Sequence, residues 1–132
     1  MALSHTAALR KDSALARAYA DTALRIIRPR RDPRLDIYEM VALAYLGRRA
    51  EAQSMLALVS GEAPDQPPPG WAYAQLQAIR ACNLLGDRKR ALQLFERMIA
   101  LTGETLPLRS GWRSDPVTSP LRGDPKFEAL FR

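Results

Sequence analysis

One cysteine, one histidine and no long apolar run set the first limits on this 132-residue chain. Cys82 alone cannot close an internal disulfide, which agrees with a reducing compartment. Cys82 and His5 together cannot assemble a zinc site, and no base is placed to make the thiol a nucleophile. His5 stands near the terminus with no candidate partner, as a frayed surface residue would. No apolar stretch approaches the roughly 18 residues of a bilayer span. The opening Met1-Ala2-Leu3-Ser4-His5-Thr6 lacks a basic segment leading into an apolar core, so no signal peptide is expected. The glycines stand singly at turns and form no phosphate-cradling loop. No segment alternates with period two, so no sheet is expected. The expectation is a cytoplasmic non-enzyme that needs no metal or cofactor and does not enter a membrane.

What is present suits a folded helical domain. Hydrophobic residues make up 47% of the chain, and a chain of this length buries roughly two thirds of its unfolded surface. The net charge of +6 is unevenly spread: residues 1–34 hold eight basic and three acidic groups, residues 35–70 two and five. Arginine supplies 17 of the 20 cations. With abundant Ala, Leu and Pro, that usage points to GC-rich bacterial coding and weakens any reading of the basic balance as selection for nucleic acid.

The spacing of apolar residues predicts a series of helices. The first firm one runs from Asp12 to Arg28, with Leu15, Tyr19, Ile26 and Ile27 near one face and Asp12 or Ser13 as N-cap. A shorter helix is expected before it, at Ser4–Arg10. Asp32-Pro33 opens the next, which runs to Leu46 and stops at Gly47. Its partner covers about Arg49–Ser60, with Ala52, Met55, Leu56 and Val59 on one stripe. Gly61–Gly70 is a proline-stiffened spacer. Two more helices follow, about Trp71–Leu85 and Lys89–Leu101. After Leu101 comes a loop-rich tail ending in a short helix from Asp124-Pro125 through Phe131.

Two stretches repeat one device. Tyr45-Leu46-Gly47-Arg48-Arg49-Ala50-Glu51-Ala52 and Leu84-Leu85-Gly86-Asp87-Arg88-Lys89-Arg90-Ala91 each close an apolar helix with Gly, turn on charged residues and open a second helix. One such hairpin cannot bury its apolar face without a stacked neighbour. Set in register on Gly47 and Gly86, the units resemble tetratricopeptide repeats. Ala52 and Ala91 then fall on the small packing position, and Leu56 and Phe95 on the large one. Met40 with Leu43, and Ile79 with Cys82, meet the first-helix positions. Pro64 falls on the terminating proline, which Gly103 replaces in the second unit. Asp36, Glu39 and Gln75 depart from the family's apolar preferences. Helix Asp12–Arg28 reads as the second helix of a degenerate earlier repeat, with Leu15 and Tyr19 in the packing positions and no turn glycine.

The resemblance implies an all-α fold: a short α-α superhelix over residues 1–101, with best-matched units at about 33–64 and 71–104. A capping tail occupies 102–132. That tail, from Asp115-Pro116 through Pro120-Leu121-Arg122 to Asp124-Pro125-Lys126-Phe127, resembles the segment closing tetratricopeptide-like regions of bacterial cyclases, kinases and winged-helix regulators. It should lay Val117, Leu121, Phe127 and Leu130 over the open end of the last unit.

The implied function is a protein-interaction scaffold or sensory module that takes a peptide or protein on its concave face. Carried onto this sequence, the groove residues are Arg34, Tyr38, Val41 and Tyr45 from the first unit and Tyr73, Gln77, Arg80 and Asn83 from the second. Tyrosines can stack on side chains, Gln77 and Asn83 can pair with amides, and Arg80 can meet a carboxylate. The opposing reading packs Tyr38 and Tyr45 against the N-terminal helix and fills the groove; a second copy of the chain is a further candidate occupant. The alternative function uses the cluster Arg25, Arg28, Arg30, Arg31 and Arg34 to hold a phospholigand or nucleic acid. Against it, cations are favoured at a helix C-terminus, and no aromatic interleaving supports base recognition.

Overall fold

The computed structural model describes residues 2–61, 65–66, 68–102 and 115–131, without the side chains of Ala2, His5, Thr6, Leu9 and Thr102. Seven α-helices are formed among them: α1 (Ala2–Leu9), α2 (Ser13–Ile27), α3 (Asp36–Tyr45), α4 (Arg49–Ser60), α5 (Trp71–Leu84), α6 (Arg88–Thr102) and α7 (Pro125–Ala129). Three 3-10 turns, Arg28–Arg30, Pro33–Leu35 and Pro116–Leu121, complete the regular structure, and no strand occurs among the described residues. The chain is all-α, as its periodicity requires.

The helices pair as hairpins, α1 with α2, α3 with α4 and α5 with α6. All three turns close in the same way. The amide of the residue after the turn reaches back to a helix carbonyl: Asp12 N to Ala7 O at 2.9 Å, Arg48 N to Leu43 O at 3.0 Å, Asp87 N to Cys82 O at 2.9 Å. The residue before that donor is left-handed each time: Lys11 at φ 59°, Gly47 at 70° and Gly86 at 78°. This is the Schellman closure, which satisfies carbonyls the helix end leaves open.

The common turn puts the three hairpins in register. Five residues past the turn stand Ala16, Ala52 and Ala91, all buried. Ser4, Met40 and Ile79 form a second buried column, Ala7, Leu43 and Cys82 a third, and Ala20, Leu56 and Phe95 a fourth. A methyl group at the fixed small position lets paired helices approach closely, and the larger columns fill the space between hairpins.

The first hairpin corrects the sequence reading. On α2 the buried residues are Ala16, Ala20 and Leu24, while Leu15 and Ile26 are exposed. Tyr19 is half-buried. The packing positions therefore lie one residue beyond those expected, on alanines rather than on the larger side chains. The start of α3 is also shorter than expected: Asp32 caps Arg34 N at 3.0 Å, Pro33–Leu35 forms a 3-10 turn, and the α-helix begins at Asp36. The α2 cap is Asp12, whose carboxylate accepts from Leu15 N at 3.0 Å.

Two arginines tie hairpin to hairpin at helix C-termini, where carbonyls lack partners and cations are favoured. Arg97 of α6 donates to Ser60 O at 2.6 Å, Gly61 O at 2.9 Å and Gln75 Oε1 at 2.9 Å, closing α4 against α5. Arg49 of α4 donates to Leu85 O at 2.5 Å. The tail lies on the last hairpin as expected. Val117, Leu121 and Phe127 are buried, Leu130 packs against the core, and Phe95, Phe127 and Phe131 form a cluster of rings. Asp115 and Asp124 cap the two short turns of the tail through Val117 N and Lys126 N. Pro64 and Gly103, named for the ends of the two units, lie outside the described residues.

Candidate partner-binding face and cleft

The eight residues named for the groove separate into three groups. Val41 and Gln77 are in the interior, at 1% and 6% exposure, which removes them as contact residues. Val41 is on α3, which packs against α2, α4 and α5, and Gln77 is on α5, which packs against α3, α4, α6 and the tail, so fewer of their positions reach water than a two-unit alignment implies. Arg34 is exposed but closed onto its own turn, its guanidinium bound to the Asp32 carboxylate at 2.8 Å. Tyr38, Tyr45, Tyr73, Arg80 and Asn83 reach the surface together, on α3 and α5.

Arg80 is the centre of this set. It is half-buried, its NH1 donates to Gln77 Oε1 at 3.0 Å, and Tyr45, Tyr73 and Asp115 all act on its charge. Burial lowers its pKa, and those three groups oppose the shift. Tyr45 is displaced upward by burial, against the pull of Arg80. Tyr73 is raised by burial and then by the Tyr38 hydroxyl beside it, so the tyrosines of neighbouring hairpins meet across α3 and α5. Tyr73 keeps 46% of its surface in solvent.

Asn83 has another task. Its Nδ2 donates to Val117 O at 2.7 Å, which fastens the tail to α5. Its Oδ1 is closed off from solvent and has no hydrogen-bond partner. The tail thereby enters the site. A cleft of about 200 Å³ opens between Tyr45, Arg80, Asn83 and Leu84 on one side, and Ala8, Pro116, Val117 and Pro120 on the other. A second hollow of about 300 Å³ shares Ala8, Tyr45 and Leu84 with it and extends to Arg17 and Gly47. Sequence reasoning missed Ala8, Arg17 and the three tail residues, because nothing local says that α1 and the tail converge on α5.

The basic cluster is largely neutralised. Arg28 reaches both Glu39 and Glu51 at 3.1 Å, joining the end of α2 to α3 and α4, and Arg48 binds Glu51 as well. Arg25 pairs with Asp21 at 2.8 Å. Arg30 and Arg31 are exposed at the turn after α2. Phosphate binding by the five as a unit would require breaking these pairs.

Cys82 is fully buried in α5, and burial pushes its thiol up to about 12, so at neutral pH it is a small apolar group. Among the described residues no group of His, Cys, Asp and Glu is arranged to hold a metal, and no helix is long and apolar enough to cross a membrane. The His5 side chain is outside the described residues. No protein-family model, no curated protein and no solved structure matches this chain.

Proposed function

We propose that this chain is a non-enzymatic protein-interaction module, a short tetratricopeptide-like array that takes a peptide or protein partner along the face shared by α3 and α5. One observation carries the reading. Three hairpins in common register bury matching columns of residues on their helices, yet leave Tyr38, Tyr45, Tyr73 and Arg80 at the surface of adjacent helices. Tyrosine and arginine are the side chains most enriched where binding energy concentrates, since each joins a large contact area to directional hydrogen bonds. The tail's likeness to the closing segment of bacterial regulators supports a sensory or regulatory role in a cytoplasmic signalling protein.

The experiment is a pull-down from the protein's own cells with wild type and with Tyr73→Ser/Arg80→Gln. Asn83 is left intact because it holds the tail. Proteins retained by wild type and lost by the variant, at unchanged melting temperature, support the face. An identical retained set removes it. Phospholigand binding through Arg25, Arg28, Arg30, Arg31 and Arg34 is the weaker reading, because carboxylates already occupy three of the five.

A further inference from the structure

We infer that the outer face of α2, with the hollow beside its last turns, is a docking site for an acidic amphipathic helix of a partner protein. Helix α2 carries two apolar faces. The inner one, Ala16, Ala20 and Leu24, is buried. The outer one holds larger side chains: Leu15 and Ile26 keep 41% and 54% of their surface in solvent, and Tyr19 is half-buried. Large apolar groups in water, with alanine at two of the three interior positions, reverse what packing alone favours. Leu15, Tyr19, the exposed Thr22 and Ile26 stand four, three and four residues apart, which is the spacing of a seam that receives a second helix.

The hollow fixes how such a helix is anchored. About 320 Å³ opens between α2 and α3, walled by Ala23, Ile26, Ile27 and Tyr38. Ile26 belongs to both the seam and the hollow. A helix laid along α2 therefore carries one large apolar side chain over an opening that accepts it, as anchors do in helix-in-groove recognition. A bilayer surface has no protruding group to fill a concave wall of this size.

The charge of the first hairpin fixes the sign of the occupant. Residues 1–34 hold eight basic and three acidic groups, a net of +5. Lys11, four residues before Leu15, and Arg30, four after Ile26, set exposed cations at both ends of the seam, and Arg31 adds a third. None of the three enters an ion pair among the described residues, where Asp21 is bound by Arg25, Asp32 by Arg34 and Glu39 by Arg28. Asp36 stands two residues before Tyr38, on the opposite side of α3. Acidic side chains flanking the apolar stripe of a partner helix meet this positive field, whereas a second copy of the chain would set +5 against +5.

This surface goes beyond the α3–α5 face proposed above, although Tyr38 borders both. Its test leaves Tyr73 and Arg80 untouched. A failed titration leaves the pull-down standing, and a failed pull-down leaves the titration standing.

The test is an amide-resolved NMR titration of the full chain with synthetic helices of the length of α2. One carries Leu at the seam positions and Glu beside them, a second has Lys for every Glu, and a third has Ser for every Leu. Phosphatidylserine vesicles are the membrane control. The expected result is saturable shifts at Tyr19, Ala23, Ile26, Ile27 and Tyr38 with the Leu/Glu helix. Its affinity should be about tenfold or more above that of either other helix, and should fall as salt rises. Ile26→Glu should weaken binding about tenfold or more, and Leu58→Glu on α4 should leave it unchanged. If Ile26→Glu does not fold, the three helices compared on the wild-type chain decide alone. Equal binding of the Lys or Ser helix, preference for vesicles, shifts at these amides on concentrating the chain by itself, shifts confined to another surface, or no saturable shift overturns the inference.

Discussion

The rings of Phe95 and Phe127 lie 5.3 Å apart between centroids at an interplanar angle of 54°, both fully buried. One belongs to the last hairpin and the other to the final short helix, so the contact is where the tail closes the array. A stack of hairpins ends in an apolar face, and a solenoid stays soluble only if that face is covered.

Phe127→Ala therefore should destabilise far more than its place near the chain end implies. The cost expected is about 3–5 kcal/mol, the range for emptying a buried aromatic site. Urea unfolding checks it, with dye binding reporting the uncovered α6 surface. A cost within the range of ordinary surface changes would show that the lid is not part of the core.

The three turns make a paired prediction. Lys11 occupies the left-handed position that Gly47 and Gly86 fill in the other hairpins, and a side chain there costs about 1–2 kcal/mol. Lys11→Gly should raise stability, and Gly86→Ala should lower it, each by about 1 kcal/mol. No atom stands within 4 Å of a Cβ placed on Gly86, so only the backbone is tested. Thermal unfolding of the two variants reads both signs.

Cys82 links burial to alkaline pH. Its folded-state pKa is raised to about 12, above the unfolded value near 8.5. Its contribution is fully present below about pH 8.5 and is lost as pH climbs toward its folded value, because only the unfolded thiol ionises in that window. The decline should not exceed about 1.4 kcal/mol per pH unit. Cys82→Ala should flatten this part of the curve, and a disulfide reagent should label wild type only as fast as the fold opens.

The contact of Arg28 with Glu39 and Glu51 spans three helices and is partly exposed to solvent. Glu51 is held below the usual carboxylate range, first by Arg48 and then by Arg28. A depressed pKa stabilises above the unfolded value, and that support disappears as pH falls through the folded one. Arg28→Met should weaken the acid-side loss of stability and the dependence on salt, with little change in melting temperature at high ionic strength.

Much of the architecture was legible in the sequence, for identifiable reasons. Gly47 and Gly86 announced the turns because a left-handed residue strongly favours glycine, and Ala52 and Ala91 followed at fixed distance. The tail was legible because Asp-Pro starts and isolated large apolar residues leave few ways to lie on a helix pair. The first hairpin was obscured by Lys11, which takes a conformation that its residue type does not advertise. Its alanine-rich second helix hid the buried stripe too: alanine at Ala14, Ala16, Ala18, Ala20 and Ala23 offers no contrast, and Leu15 and Ile26 drew the eye to the outer face.

The site was harder to read than the fold. Tyr38, Tyr45, Tyr73 and Arg80 were named through the tetratricopeptide resemblance, and the structure leaves them exposed or half-buried on α3 and α5. Val41 and Gln77 were not excluded, because burial on α3 and α5 depends on neighbours far away in sequence. The diversion of Asn83 to Val117 and of Arg28 to Glu39 and Glu51 depends on the same long-range packing.

The most direct measurement is site-specific photo-crosslinking in the protein's own cells, with one probe replacing Tyr73 and another replacing Leu58, which is 71% exposed on α4. Adducts with a discrete partner from position 73, absent at position 58 and diminished by Arg80→Gln, are the predicted result. Equal adducts at both positions, or adducts from position 58 alone, would contradict a binding face on α3 and α5.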